Sequence, residues 1–258
     1  MGRAKGLWVA LAALALTACG PGAALDGLVD GGRAKAVAAP AGDLLMLADG
    51  RRLRLAGIEA PQAGQPYAEA ARAALAKLAV GRELELLYDA PGRGEAAQLR
   101  ERRTRRWLQA ALLEAGAARV RTTGDDRAMA HEMLNAEARA RLAGRGLWKL
   151  ADYRVALPAE IGRDARGFQL VEGRIVKIGR SRGRTYLDFS DDYLNSLSVE
   201  APAAIEAEFA LAGRPIDGLV GQRVRVRGSV GGLRMRIEHP EAVELLNAPR
   251  PKTKTPGG

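Results

Sequence analysis

Asp43, Arg54, Glu59 and Gln62 sit within a short stretch and carry the side chains most able to do chemistry. Paired carboxylates can hold a hard cation through oxygen. A guanidinium presents a planar fork that fits a phosphate. Gln62 ends the stretch where a base would be most useful, and an amide cannot take a proton at neutral pH. The elements that must position these groups are legible. Residues 44–48 and 51–55 flank Asp49-Gly50, a hairpin signal. On the second strand Leu53 and Leu55 share one face, and Arg52 and Arg54 share the other. The chain then turns through Gly57-Ile58-Glu59-Ala60-Pro61-Gln62.

Three segments together resemble the staphylococcal nuclease (thermonuclease-like, SNase) family. The family runs Asp-Gly-Asp-Thr, a hairpin, then Arg-Leu-x-Gly-Ile-Asp-Ala-Pro-Glu; here these are Ala41-Gly42-Asp43-Leu44 and Arg54-Leu55-Ala56-Gly57-Ile58-Glu59-Ala60-Pro61-Gln62. Its Asp-x-x-Gly-Arg signature appears as Asp89-Ala90-Pro91-Gly92-Arg93. A helix rich in Ala, Glu and Arg, followed by Gly146-Leu147-Trp148, supplies the third segment. The resemblance implies that Asp43 and Glu59 are calcium ligands and that Arg54 and Arg93 grip the scissile phosphate and stabilise transition-state charge. It also places Gln62 at the position of the family's general base. Losing such a base costs about 10²–10⁴ in rate. Ala41, Leu44 and Ala60 replace further polar groups of the pattern, so the implied calcium site is incomplete.

The amino terminus reads as a processing signal. Arg3 and Lys5 precede a short apolar run at residues 7–16, ending in Leu16-Thr17-Ala18-Cys19. That ending looks like a lipobox, with cleavage before Cys19 and acylation of its thiol. Cys19 is the only cysteine, so the mature chain would carry no disulfide. Gly20 after Cys19 favours, by resemblance to bacterial lipoproteins, the outer membrane facing the periplasm. The formal charge of +10 falls to about +8 without Arg3 and Lys5, which still favours anionic partners such as DNA or RNA.

The expected organisation is a signal peptide over residues 1–18, a lipid-anchored tether over 19–33 and a nuclease-like domain over 34–150. A connector at 151–166, an OB-like domain at 167–248 and a disordered basic tail at 249–258 complete it. In the first domain a helix is expected at residues 67–80, a strand at 83–88, a short helix at 107–115, and a longer helix capped by Asp125 or Asp126. Arg100, Arg102, Arg103, Arg105 and Arg106 form a basic cluster in a hairpin connection. In the second domain the pattern gives three strands, a helix carrying Ile205 and Phe209, and an Arg-rich hairpin. The expected fold class is thus a β-barrel with helices (OB-type, SNase-like α+β) followed by a second, smaller OB-like β-barrel. Arg223, Arg225, Arg227, Arg234 and Arg236 alternate with apolar residues on that hairpin, so one face could bind single-stranded nucleic acid with Tyr186 and Tyr193.

The leading functional expectation is a thermonuclease-like envelope lipoprotein that binds nucleic acid and hydrolyses phosphodiesters weakly or not at all. Two alternatives stay open: a competent calcium-dependent endonuclease, and a noncatalytic protein- or envelope-binding module. No specific protein partner follows from the residues.

Overall fold

Alternating burial builds the first sheet. In the computed structural model, which describes residues 24–91 and 95–246, Leu53 and Leu55 of β3 (Arg52–Leu55) are buried while Arg52 and Arg54 are exposed. β3 follows β1 (Val29–Ala41) and β2 (Leu44–Leu47) through the expected hairpin, where Gly50 takes φ +85°. After the short β4 (Ile58–Glu59), the helix α1 (Ala68–Ala79) buries Ala71 and Leu75. Next come β5 (Glu83–Tyr88) and β6 (Ala96–Glu101). The ladders run β1-β2-β3-β6-β5 and return to β1, closing five strands around Leu45, Leu53, Leu84, Leu86 and Leu99. The seam between β3 and β6 is short, with Arg54 opposite Ala96 and Leu55 opposite Ala97.

Two helices and a two-residue strand cover one end. α2 (Leu108–Glu114) follows Trp107, whose indole N–H donates to Gln98 Oε1 at 2.9 Å inside the core. β7 (Arg119–Val120) pairs antiparallel with β4, and α3 (Ala130–Leu142) packs behind it. Asp126 does not cap α3, which starts at Met129 without a side-chain cap. Its carboxylate instead accepts from Thr123 N at 2.6 Å and Gly57 N at 3.3 Å, so it braces the β4 turn.

The tether expected through Arg33 ends earlier. Leu25 is fully buried, Asp26 pairs with Arg100 at 2.6 Å, and residues from Val29 onward form β1. An apolar anchor and a buried cation recruit this segment into the barrel. The basic cluster is partly spent the same way: Arg100 and Arg105 meet Glu85, and Arg102 meets Glu83. The leader, Cys19, Arg93 and the basic tail lie outside the described residues.

The second unit corrects the expected pair of barrels. β8 (Arg166–Arg174) pairs along its whole length with β12 (Arg223–Gly231). At Ile175-Val176 the chain changes partner, Ile175 N donating to Gln222 O and Val176 N to Asp188 O. It then runs as β9 (Lys177–Ser181) against β10 (Arg184–Asp188), so one expected strand becomes two. β11 (Ser198–Pro202), the helix α4 (Ile205–Leu211), β13 (Arg234–Arg236) and β14 (Val243–Leu245) complete the unit. The path is β14-β12-β13-β11-β10-β9, with β8 branching from β12. No ladder joins β8 to β9, so these seven strands form an open sheet rather than a second closed barrel. Its core is Val171, Leu187, Val199, Phe209, Val224, Val226 and Met235.

A buried ion-pair network joins the two units. Arg227 of β12 donates to Glu137 of α3 at 2.8 and 3.2 Å, to Val120 O at 3.0 Å and to Glu244 at 2.6 Å. The Arg227 and Glu137 side chains are 2% and 0% exposed, so almost no solvent screens the pair. Burial alone would lower the Arg227 pKa, but Glu137 and Glu244 outweigh it and raise it. Glu244 is pushed up by burial and pulled down further by Arg227 and Arg225, so its pKa lies below the usual 4.5. Removing one partner of such a pair strands a buried charge and costs about 3–5 kcal/mol. Arg227→Ala is expected to lower unfolding free energy by that amount in chemical denaturation; a loss below about 1 kcal/mol contradicts the junction's role. Because the Glu244 pKa is depressed on folding, its contribution is present above pH 4.5 and fades as pH falls through the folded value.

Candidate functional site

The turn between β1 and β2 places Asp43 at one end of the barrel. Gly42 is required there, since a Cβ would lie 2.7 Å from Ala60 Cβ and 2.8 Å from Ala71 Cβ. This close approach also explains a small residue at Ala60. Asp43 is buried; its Oδ2 accepts from Ala60 N at 3.2 Å and from Gln62 Nε2 at 3.3 Å, while Oδ1 is buried with no partner. Burial raises its pKa, against smaller lowering contributions from the Ala60 N–H and Arg54.

Gln62 therefore stands beside Asp43. Its amide nitrogen also donates to Ala60 O at 2.8 Å, and its backbone N–H donates to Gln65 Oε1 at 2.7 Å. The side chain is a brace for the turn and offers no basic nitrogen. Arg54, on the outer face of β3, is exposed and makes no ion pair among the described residues.

Glu59 is turned to a different task. β4 and β7 set it opposite Arg119. One carboxylate oxygen faces Arg119 Nη2 at 3.3 Å and the other accepts from Arg121 Nη1. Arg119 is itself clamped, with its guanidinium 5.2 Å from the Tyr153 ring and 5.0 Å from the Phe168 ring. Burial lowers its pKa against the pull of Glu59. Arg119 and Arg121 carry this arrangement, and neither stands out in the family pattern. The alternation Arg119-Val120-Arg121 was the available signal, being a short strand with two cations on one face.

Calcium takes about six to eight oxygen ligands. Here Asp43 Oδ1 is open, both Glu59 oxygens face guanidinium groups, and Ala41, Leu44 and Ala60 carry no side-chain oxygen. Among the described residues no three His, Cys, Asp or Glu side chains are grouped to hold a metal. Among these side chains one carboxylate oxygen, Asp43 Oδ1, is unpartnered, and further ligands would have to come from backbone carbonyls or water.

The five hairpin arginines do not form one open face. Arg225 is held by Glu172 and Glu244, and Arg227 is buried in the junction. Arg223 and Arg236 are exposed, and Arg234 is half-buried. Only the outer members are placed to meet a ligand.

Residues 52–150 match the family described as staphylococcal nuclease homologue. Those residues form an SNase-like domain. Comparison with curated proteins gives no match. The family region spans Glu59, Ala60 and Gln62 as well as β5, β6 and the covering helices, while Ala41, Asp43 and Leu44 precede it. No helix among the described residues is long and apolar enough to cross a membrane.

Proposed function

We propose that this is an SNase-like protein that binds phosphodiester polymers and turns them over weakly or not at all. One observation carries the reading: the two groups expected to do metal and base chemistry are both engaged structurally. Glu59 is shared by Arg119 and Arg121, and Gln62 ties Asp43 to Ala60. Arg54 stays exposed beside them, and a guanidinium needs no base to bind a phosphate. Arg93 belongs to the same proposed phosphate grip by its place in the Asp89-Ala90-Pro91-Gly92-Arg93 signature.

The same reading anchors the protein to the cell envelope through an acylated Cys19, on the strength of the apolar run and Leu16-Thr17-Ala18-Cys19. Mass spectrometry of the membrane fraction is expected to find a lipid-modified Cys19 amino terminus. A soluble, unmodified chain starting elsewhere contradicts the anchor.

The binding reading is tested on the purified protein with single- and double-stranded DNA, with and without calcium. The expected result is a measurable, salt-sensitive complex and no calcium-stimulated cleavage, with Arg54→Ala weakening a complex formed at this domain. Calcium-dependent cleavage that disappears in Arg54→Ala would establish the competent nuclease instead.

A further inference from the structure

The open sheet of the second unit has a solvent face whose composition is set by register. Lys177 lies opposite Asp188, Asp188 opposite Ser198, and Ser198 opposite Arg234. Two residues along, Gly179, Tyr186, Glu200 and Arg236 form a parallel row. Residues opposite one another, or two apart on a strand, share a face. The intervening row of Ile178, Leu187, Val199 and Met235 points into the core. The outer face of β9, β10, β11 and β13 therefore carries three cations, two acids and Tyr186 among its polar side chains.

Residues from these rows and the loop after β10 line a groove of about 380 Å³, including Lys177, Tyr186, Asp188, Tyr193 and Arg234. Tyr193 is 47% exposed, and Lys177 Nζ sits 5.9 Å from its ring centroid. Arg234 Nη1 donates to Leu233 O at 3.0 Å and reaches Tyr193 O at 3.4 Å, which fixes that guanidinium next to the loop. Gly179 leaves space beside Tyr186 and Asp188, where a Cβ would stand 3.6 Å from Tyr186 Cβ and 3.7 Å from Asp188 Oδ2. Asp188 is buried; Oδ1 accepts from Ser198 Oγ, and Oδ2 makes no hydrogen bond among the described residues. Glu200, the other acid on this face, is paired with Arg184 at 2.8 Å.

The chain has five tyrosines, and two of them meet in this one groove. Aromatic rings accept the flat face of any base, and neighbouring cations follow the backbone phosphates. A carboxylate oxygen beside them can accept from an exocyclic amino group, as a carboxylate does with cytosine N4. We propose that this sheet face binds single-stranded nucleic acid, with bases stacked on Tyr186 and Tyr193, phosphates on Lys177, Arg234 and Arg236, and amino-bearing bases favoured by Asp188. The surface shares only its polymer class with the Arg54 reading and stands if the SNase-like domain binds nothing. Of the hairpin arginines it keeps Arg234 and Arg236, while Arg225 and Arg227 are committed to ion pairs at the junction.

Fluorescence anisotropy with oligo-dC and oligo-dT of equal length, on the full chain and its variants, tests the proposal. Tyr193→Ala, on an exposed loop, is expected to weaken binding by about tenfold or more. Arg234→Ala is expected to lower the salt slope by about 0.7, as for one lost phosphate contact on a single strand. Tyr186→Phe keeps the ring and the affinity, whereas Tyr186→Ala does not. Asp188→Asn is expected to narrow the preference for oligo-dC over oligo-dT, and Arg54→Ala to leave that preference intact. Folded Tyr193→Ala and Arg234→Ala proteins that bind as the parent does overturn the proposal. Loss of binding in Arg54→Ala alone assigns all recognition to the SNase-like domain and also overturns it. If the face variants lose binding to phosphatidylglycerol vesicles but not to oligonucleotides, the face belongs to a membrane surface and the proposal fails.

Discussion

A guanidinium buried between two folded units constrains everything around it. Arg227 is 3% exposed, and its charge is tolerable only because Glu137, Glu244 and the carbonyl of Val120 surround it. A buried ion pair adds little net stability over a good apolar contact, yet it punishes any arrangement that leaves a partner alone. The consequence is specificity of docking. β12 must meet α3 in the register that brings Arg227 to Glu137, and Arg225 then falls to Glu172 and Glu244. Arg141, four residues after Glu137, completes the cluster at 3.3 Å. His239, hydrogen-bonded to Thr122 and Glu241, and Arg127, paired with Glu208 and Glu241, seal the rim.

β7 transmits this constraint to the candidate site. Val120 N donates to Glu137 Oε1 at 2.7 Å while Val120 O accepts from Arg227, so both backbone polar groups of that residue are held by the junction. The preceding residue is Arg119, which holds Glu59 and lies against Phe168 of the second unit. Docking of the second unit and diversion of Glu59 are therefore two ends of one short strand. The Glu59 carboxylate is a structural salt bridge because the residues facing it are Arg119 and Arg121.

Local signals were legible in the sequence, and long-range ones were not. The Asp49-Gly50 hairpin, the inward Leu53 and Leu55, and the helix around Ala71 and Leu75 follow from turn chemistry and periodicity, because each is decided by near neighbours. The Asp43–Gln62 contact lies between residues only nineteen positions apart. The fate of Arg227 depends on Glu137, ninety positions away, and nothing in an alternating Arg/Val strand announces it. Glu137 did carry a signal, as an acid on the same helical stripe as Met133 and Ala140. The second barrel does not close because the chain changes partners at Ile175-Val176, a break that the continuous strand-like stretch 169–178 does not announce. Leu25 and Asp26 look like tether by composition; only the pocket and the cation that receive them make them part of the fold.

The proposed function rests on a site without a base at Gln62 and with the Glu59 carboxylate held by Arg119 and Arg121. The most direct measurement is calcium-dependent DNA cleavage by Gln62→Glu alone and by Gln62→Glu combined with Arg119→Ala and Arg121→Ala, with folding checked by circular dichroism. The account predicts no gain from the single change and a gain only when Glu59 is released. Cleavage restored by Gln62→Glu alone, with no further increase on removing the clamp, would contradict it.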